Sequence, residues 1–418
     1  MIATVRGARH LSGELKVPGD KSISHRALIL GAIADGDSHV RGLSTGADVQ
    51  STAGCLRSLG VAIDGSFVGG SGLRGLRRSS APLDCGNSGT SMRLLAGLLA
   101  AQEFESELAG DDSLSRRPMD RVVEPLREMG ARAGWPPLRV GGGGRLHGIE
   151  YRAPMPSAQV KAAILLAGLY AEGVTAVVEP VKTRDHTELM LAAMGAGVGS
   201  DGLRVEVKAA ERLEPLDIDV PGDFSAAAFW LVAGGLAGQS NVTLLGVGVN
   251  PTRTALAELL ASVGFHVGRT RPRLEAHEPV ANLQVWPASD LKPIQVDREL
   301  AARMIDELPV LAVAATQLPG TSVIAGAGEL RVKESDRIAA MADGLTAMGA
   351  DVVAQDDGWV INGPRSLEGA RVDSAGDHRV AMALAVAALM ASGKTEIAGA
   401  ECVDISYPGF FDHLEYLV

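Results

Sequence analysis

The chain has 418 residues, too many for one hydrophobic core, so we expect two domains. Hydrophobic residues make up 46% and charged residues 21% of the sequence, which excludes a disordered chain, and the formal net charge of −11 argues against nucleic-acid and anionic-membrane partners. Cys55, Cys85 and Cys402 lack metal-ligand spacing, and no signal peptide or membrane span is seen, so we expect a cytoplasmic protein without a metal.

The first strong local pattern is the segment 18–26. A Pro-Gly pair predicts a turn, Asp, Ser and Ser can cap a helix, and the apolar residues 27–33 continue as a buried helix. Unpaired N–H groups and the helix dipole favour an anion at such a start, and Lys21 and Arg26 add full positive charges. An ordinary capped helix with two solvated cations explains this segment alone equally well.

The same pattern recurs about six times, at intervals of roughly 65 to 80 residues. Each copy reads as strand, apolar helix, strand, amphipathic helix and strand, which predicts an α/β fold. The amphipathic helices end with a Leu and then a Gly, as at Leu56 and Gly60 or Leu345 and Gly349. The apolar helices must be enclosed and the amphipathic ones face water, and six copies divide naturally into two domains of three.

The starts of the six enclosed helices are polar. We expect these helices to begin within residues 21–26, 86–93, 157–161, 222–225, 297–299 and 376–379. If the copies are equivalent, the starts lie at equivalent helix ends, so several positive dipole ends converge. The pattern therefore predicts a site for more than one anion.

Eight short motifs occur one after another along the chain, among them Lys-Ser-Ile-Ser-His-Arg and Gly-Asn-Ser-Gly-Thr. They lie at residues 18–26, 86–90, 117–119, 157–161, 184–187, 332–337, 377–379 and 407–410. Together they resemble the 5-enolpyruvylshikimate-3-phosphate synthase family of enolpyruvyl transferases, over essentially the whole chain. The resemblance implies two similar α/β domains, each of three βαβαββ-type repeats with enclosed parallel helices, an inside-out α/β barrel. It places residues 21–221 in one domain and residues 1–20 with 222–418 in the other, with the active site in the cleft between them.

The reaction that the resemblance implies belongs to the shikimate pathway, toward chorismate and the aromatic amino acids. The enolpyruvyl group of phosphoenolpyruvate passes to the 5-hydroxyl of shikimate 3-phosphate, and phosphate is released, with no cofactor. Fixed cations and helix dipoles must then offset the repulsion between two anionic substrates. The implied partners are these two substrates and glyphosate as an inhibitor, and the protein is expected to be a monomer that closes its domains.

The resemblance also assigns roles to individual residues of the motifs. For shikimate 3-phosphate it implies Lys21, Ser22, Arg26, Ser157, Ala158, Gln159, Arg184, Asp306 and Lys333. For phosphoenolpyruvate it implies Lys21, Gly89, Arg117, Gln159, Arg337 and Arg379. For catalysis it implies Asp306, Glu334 and Lys21. We expect Asp306 within an otherwise apolar helix, and we expect one of Glu334 and Asp336 to serve only as the partner of a neighbouring arginine.

Two alternatives remain open. The UDP-N-acetylglucosamine enolpyruvyl transferases share the chemistry, but they carry a reactive Cys shortly before an Arg-Pro pair, where this chain has residues 111–116 without a Cys. A non-catalytic anion-binding protein of the same fold is the second alternative, and the intact motifs argue against it. One departure from many members of the family is Ile405, which stands where they have a Lys near the C-terminal Tyr-Pro pair.

Overall fold

The computed structural model describes residues 1–418, which form two compact units. The first unit comprises Gly19–Val220 with Leu274–Glu278, and the second comprises Met1–Pro18, Pro221–Arg273 and Pro279–Val418. Each unit encloses a hydrophobic core of its own. None of the helices combines the length and the apolar composition that a membrane-spanning segment requires.

The α-helices alternate between a buried set and a partly exposed set. In chain order they are α1 (Lys21–Ala32), α2 (Ala47–Ser58), α3 (Gly89–Leu99), α4 (Asp120–Glu128), α5 (Ala158–Gly168), α6 (His186–Ala193), α7 (Phe224–Leu236), α8 (Ala255–Ser262), α9 (Arg298–Arg303), α10 (Leu308–Gln317), α11 (Arg337–Ala347), α12 (His378–Met390) and α13 (Phe410–Leu417). The buried set is α1, α3, α5, α7, α10 and α12, and one partly exposed helix follows each of them. The predicted alternation of two helix types is confirmed.

The strands are short and form six sheets. In chain order they are β1 (Ile2–Arg6), β2 (His10–Leu15), β3 (Ser38–Arg41), β4 (Ile63–Asp64), β5 (Phe67–Val68), β6 (Leu83–Asp84), β7 (Glu105–Ala109), β8 (Ala133–Gly134), β9 (Leu138–Gly141), β10 (Glu150–Arg152), β11 (Val174–Val178), β12 (Val198–Asp201), β13 (Arg204–Lys208), β14 (Asp217–Asp219), β15 (Gln239–Gly248), β16 (His266–Glu275), β17 (Glu278–Trp286), β18 (Gln295–Val296), β19 (Gly320–Ile324), β20 (Asp351–Gln355), β21 (Gly358–Gly363), β22 (Arg371–Asp373) and β23 (Lys394–Ala398).

Three of the six sheets are built by the same connection. In the sheet ordered β6-β7-β9-β8, β6 is parallel to β7, and β9 is antiparallel to both of its neighbours. With α3 and α4 between the strands, the chain order is βαβαββ. The sheets β10-β11-β13-β12 and β18-β19-β21-β20 repeat this order, and the predicted α/β fold class is confirmed.

Strands distant in sequence complete the remaining sheets. β14 returns to lie parallel to β3 in the first unit. In the second unit, β1 pairs with β23 and β2 pairs with β15. Backbone pairing of β1 and β2 thus joins the N-terminal 18 residues to a unit whose other residues begin at Pro221.

The fifth buried helix differs from the sequence prediction. We expected it to begin within residues 297–299 and to contain Asp306, but α9 ends at Arg303, residues 304–307 form a turn, and α10 begins at Leu308. Pro309 supplies the physical reason. Inside a continuous helix its ring would clash with the carbonyl of Ile305, whereas the first turn of a new helix tolerates a residue without an N–H. Asp306 therefore lies in a turn, and the prediction of a helical Asp306 is wrong.

The buried helices α3 and α5 approach each other closely because a glycine lies at their contact. A Cβ atom on Gly97 would stand 2.2 Å from the carbonyl oxygen of Ala163 and 2.6 Å from its Cα. Both atoms belong to the backbone and cannot turn aside as a flexible side chain would. The separation of these two helices is therefore set by the absence of a side chain at residue 97.

Replacing this glycine should destabilise the protein. We expect Gly97→Ala to lower the free energy of unfolding by about 1–3 kcal/mol or more, because α3 and α5 must move apart. Gly54→Ala is the matched control: it lies within α2, and no atom stands within 4 Å of its added Cβ. Helix propensity predicts a gain of about 1 kcal/mol there. Equal urea midpoints for the two variants would contradict the close approach of α3 and α5.

Candidate functional site

The start of α1 carries the first cation of the site. Asp20 caps this helix, since its Oδ1 accepts the N–H of Ile23 at 2.9 Å. The Lys21 ammonium forms an ion pair with Asp48, a carboxylate from the first turn of α2. Asp48 also accepts, at its main-chain oxygen, a hydrogen bond from Ser91 Oγ of α3 at 3.3 Å. One carboxylate residue therefore connects the starts of three helices.

A buried polar chain lies behind these three helix starts. His25 Nδ1 stands 2.7 Å from Thr52 Oγ1, which in turn lies 2.6 Å from Ser91 Oγ. Burial, followed by the positive charge of Lys21, lowers the pKa of His25 from 6.5 to about 3. The imidazole is therefore neutral near pH 7 and adds no charge to the cations in front of it.

Arg26 lies one turn further along α1, and Arg184 lies in the loop before α6. Arg26 is buried, and it donates from Nε to Thr187 Oγ1 at 2.7 Å and from Nη1 to the carbonyl of Ser22 at 2.9 Å. Burial lowers the pKa of Arg26 to about 10, against the opposing charge of Glu188, so the guanidinium stays positive at neutral pH. Arg184 Nη1 lies 3.5 Å from Ser22 Oγ. Two guanidinium groups thus contact Ser22, Arg26 at its main-chain oxygen and Arg184 at its hydroxyl.

The loop that carries Arg184 is held by a buried ion-pair network. Lys161 Nζ lies 2.9 Å from Glu179 Oε2 and 2.7 Å from Glu188 Oε1. Glu179 accepts a hydrogen bond from the Thr183 hydroxyl, next to Arg184. Removing one member of a buried ion pair leaves an uncompensated charge, so the network restrains this loop strongly.

A second group of cations lies at the start of α3. Arg117 Nη2 donates to Asn87 Oδ1 at 2.5 Å, and Asn87 Nδ2 donates to Asp111 Oδ2 at 2.6 Å. A Cβ atom on Gly89 would stand 3.4 Å from Arg117 Nη1 and 3.0 Å from Arg93 Nη1. Gly89 is therefore the point where two guanidinium groups approach one helix N-terminus, which favours an anion.

Gln159 joins α5 to this group. Arg93 Nη1 donates to Gln159 Oε1 at 2.5 Å, and Gln159 Nε2 donates to Thr90 Oγ1 at 2.8 Å. Ser157 caps α5, with its Oγ 3.3 Å from the N–H of Val160, and Ala158 is the first residue of that helix. The first unit thus brings together Lys21, Ser22, Arg26, Gly89, Arg93, Arg117, Ser157, Ala158, Gln159 and Arg184, which we call the first-unit cluster.

The second unit gathers three cations around one carboxylate. Asp306 Oδ1 lies 3.7 Å from Arg337 Nη1, 3.8 Å from Arg379 Nε and 4.0 Å from Lys333 Nζ. Arg379 also donates from Nη1 to the main-chain oxygen of Asp306 at 3.2 Å. Desolvation lowers the pKa of Lys333, while the charge of Asp306 opposes this shift.

Two further carboxylates hold Arg337. Its Nη2 donates to Glu334 Oε2 at 2.5 Å and its Nε to Asp377 Oδ2 at 2.8 Å. Burial alone would raise the pKa of Asp377, but the charge of Arg337 lowers it on balance, so the carboxylate is ionised at neutral pH. These side chains form the second-unit cluster: Asp306, Lys333, Glu334, Arg337, Asp377 and Arg379.

Glu334 and Asp336 both have arginine partners. Glu334 is bonded to Arg337, and Asp336 Oδ2 accepts from Arg331 Nη1 at 2.6 Å. Asp336 also caps α11, with Oδ1 3.1 Å from the N–H of Ala339. Both carboxylate oxygens of Asp336 thus accept hydrogen bonds from nearby residues of the same segment, whereas Glu334 belongs to the second-unit cluster.

Several members of the clusters were missed by the sequence reasoning. Arg93 stands four residues after Gly89, so it lies on the same helix face, and that spacing could have revealed it. Asn87 and Asp377 lie within the motifs at 86–90 and 377–379 and Asp48 lies in none of the eight, but no sequence signal shows which cation each of them binds. No group of three or more His, Cys, Asp or Glu side chains is arranged to hold a metal ion.

Both clusters have the chemistry of anion binding, and the second-unit cluster adds carboxylates that can act as acid–base groups. Guanidinium groups suit bidentate recognition of carboxylate and phosphate, and lysine adds a point charge. A carboxylate near several cations can exchange a proton with a bound hydroxyl.

Comparison with known proteins identifies one family that matches nearly the whole chain. The family described as EPSP synthase (3-phosphoshikimate 1-carboxyvinyltransferase) matches residues 5–414. The 3-phosphoshikimate 1-carboxyvinyltransferase of Alkalilimnicola ehrlichii is 50% identical, over 98% of this chain and 94% of its own length. That of Gloeobacter violaceus is 51% identical over 98% of both chains.

Solved structures agree with this match. An EPSP synthase from Acinetobacter baumannii superposes with a TM-score of 0.90 at 42% identity, over 100% of this chain and 98% of that one. The enolpyruvyl transferase NikO from Streptomyces tendae, at 19% identity and a TM-score of 0.79 over 100% of this chain and 97% of its own, shares the fold. The chain belongs to the EPSP synthase family, the 3-phosphoshikimate 1-carboxyvinyltransferases.

Proposed function

We propose that the chain transfers the enolpyruvyl group of phosphoenolpyruvate to the 5-hydroxyl of shikimate 3-phosphate and releases phosphate. The observation that carries the proposal is the placement of Asp306 within 4.0 Å of three cations. Two anionic substrates require fixed positive charge, and the addition requires a group that handles the hydroxyl proton. The names of the relatives, which match over nearly the full length of the chain, support the same reaction.

Shikimate 3-phosphate is assigned mainly to the α1 and α5 starts. In this proposal Lys21, Ser22, Arg26 and Arg184 bind its anionic groups, and Ser157, Ala158 and Gln159 contact it from α5. Asp306 and Lys333 then contact the side of the ring that carries the reacting 5-hydroxyl. The buried hydrogen bonds of Arg26 to Thr187 and Ser22 support this role, because they hold the guanidinium in one orientation.

Phosphoenolpyruvate is assigned to the arginine-rich positions. Lys21, Arg117 and Gln159 lie in the first-unit cluster around Gly89, and Arg337 and Arg379 lie in the second. Bidentate guanidinium groups match both the carboxylate and the phosphate of this substrate. The Arg379 contacts with Asp306 offer one means of coupling substrate binding to the proton-handling group.

The chemistry divides into addition and elimination. In the addition, the 5-hydroxyl oxygen attacks C2 of phosphoenolpyruvate, the hydroxyl proton leaves to a base, and an acid protonates C3. In the elimination, C3 loses a proton and the C2–O bond to phosphate breaks. We assign these proton transfers to Asp306, Glu334 and Lys21, whose charges are balanced by neighbouring groups of opposite sign.

We further propose that the protein is a cytoplasmic monomer. Cys55, Cys85 and Cys402 are free thiols, which suits a reducing compartment. Every residue assigned above comes from one chain, so the proposed chemistry needs no partner subunit.

A phosphate-release assay tests the reaction directly. With both phosphoenolpyruvate and shikimate 3-phosphate present we expect steady release of phosphate, and with UDP-N-acetylglucosamine as the acceptor we expect none. Release with the nucleotide sugar alone would support the first alternative transferase. A lack of release with either acceptor would support a non-catalytic anion-binding protein.

Asp306→Asn tests the proton-handling role. We expect turnover to fall by about 10²–10⁴-fold, because the amide cannot accept the hydroxyl proton, while the affinity for shikimate 3-phosphate changes little. Asp343→Asn, an exposed carboxylate of α11, is the control and should keep wild-type turnover. Binding is measured by calorimetry and turnover by phosphate release. Undiminished turnover would remove Asp306 from the acid–base role.

Gly89→Ala tests the phosphoenolpyruvate site and glyphosate together. We propose that glyphosate competes with phosphoenolpyruvate, and that the added methyl group, 3.0 Å from Arg93 Nη1, displaces the guanidinium groups. We expect a higher KM for phosphoenolpyruvate and weaker glyphosate inhibition than in the wild type. Gly54→Ala is the control and should match the wild type. Wild-type turnover that persists at millimolar glyphosate would refute the competition.

A further inference from the structure

We infer that Ser225 is a positioning residue for Asp306, acting through a buried hydrogen-bond chain from Arg253 through Ser225 to Glu307. The inference rests on the proposed function, in which Asp306 handles a proton. It adds three residues to that site that lie outside the motifs discussed above. None of the three is assigned a contact with substrate.

The chain connects three separate elements of the second unit. Arg253, in the loop between β15 and α8, donates from Nη2 to Ser225 Oγ at 2.8 Å and to Asp223 Oδ1 at 3.0 Å. Ser225, in the first turn of α7, donates from its hydroxyl to Glu307 Oε1. Glu307 is the residue that precedes α10. The loop, α7 and α10 are thus connected through one hydroxyl group.

The direction of these hydrogen bonds is determined by the groups involved. A guanidinium can only donate, so the Ser225 hydroxyl accepts from Arg253 and directs its single proton to Glu307 Oε1. Ser225 and Glu307 are 2% and 1% exposed, so no bulk water can replace a lost partner. Burying a carboxylate that has lost a hydrogen-bond donor costs free energy. The three side chains of this hydrogen-bond chain are therefore held close to one geometry.

Glu307 transmits this constraint to its neighbour Asp306. Both residues lie in the turn 304–307, which separates α9 from α10. The N–H of Glu307 bonds the carbonyl of Met304 at 2.9 Å, and Arg379 holds the main-chain oxygen of Asp306 at 3.2 Å. The turn is therefore fixed by Glu307 on one side and by Arg379 on the other. Since Asp306 is not held by a helix, these contacts set the distance of its carboxylate from the three cations.

The test compares variants that remove or restore the hydroxyl. We expect Ser225→Ala to lower kcat by about 10–100-fold, because small displacements of a reacting group are costly, while KM for both substrates stays within about threefold of wild type. Ser225→Thr keeps the hydroxyl and should recover most of the turnover. Thr316→Val is the matched control: it removes a buried hydroxyl at the other end of α10, bonded to the carbonyl of Val313 at 2.7 Å, and should keep wild-type kcat.

Arg253→Lys provides a second variant in case Ser225→Ala does not fold. Lysine keeps the buried positive charge, but its shorter side chain lacks the rigid guanidinium plane that aims Nη2 at both Asp223 and Ser225, so kcat should fall with KM little changed. The inference is overturned if every folded variant turns over at the wild-type rate, or if Thr316→Val loses as much kcat as Ser225→Ala. An inactive wild-type enzyme would instead refute the proposed function, so the two failures are distinguishable.

Discussion

The organisation of this protein depends on the pairing of buried and partly buried positive charge. Lys21 meets Asp48 of another helix, and Arg337 meets Glu334 and Asp377. A buried charge without a partner is costly, so each of these pairs also fixes the relative position of two elements. The cations assigned to the substrates are therefore part of the framework that holds the helix starts together, and a substitution at one of them affects both stability and binding.

The interior of each unit is organised differently from these ends. The buried helices carry mainly small and aliphatic side chains, with aromatic ones in α7, and at Gly97 the backbone of α3 leaves no room for a Cβ atom beside Ala163. Close packing of apolar groups holds most of each helix interior, while capping residues such as Asp20 and Ser157 are concentrated at the N-termini. This separation lets six repeats share one fold while their N-terminal residues differ in charge and chemistry.

Sequence reasoning was most accurate where the signal is local. Periodicity predicted both helix sets, because burial on all sides or on one side leaves a direct imprint on residue order. It was wrong at Asp306, because the effect of Pro309 on the turn 304–307 was not weighed against the apolar pattern. The partners Asp48 and Asp377 were also missed, since they lie 27 and 40 residues from the cations they bind and no spacing rule links them. The hydrogen bond from Ser225 to Glu307 joins residues 82 positions apart, so no local pattern in the sequence predicts it.

The sequence by itself determined the α/β class, the six repeats, the polar helix starts and the family to which the motifs belong, because these depend on residue order over short distances. The tertiary structure alone decided which helix starts meet, which carboxylate pairs each cation and how Asp306 is held near Lys333, Arg337 and Arg379. Such contacts join residues that lie far apart in the sequence, and their geometry follows from the packing of whole helices and sheets. Short motifs can therefore identify the chemical groups of this site, but only the folded chain sets the distances between them.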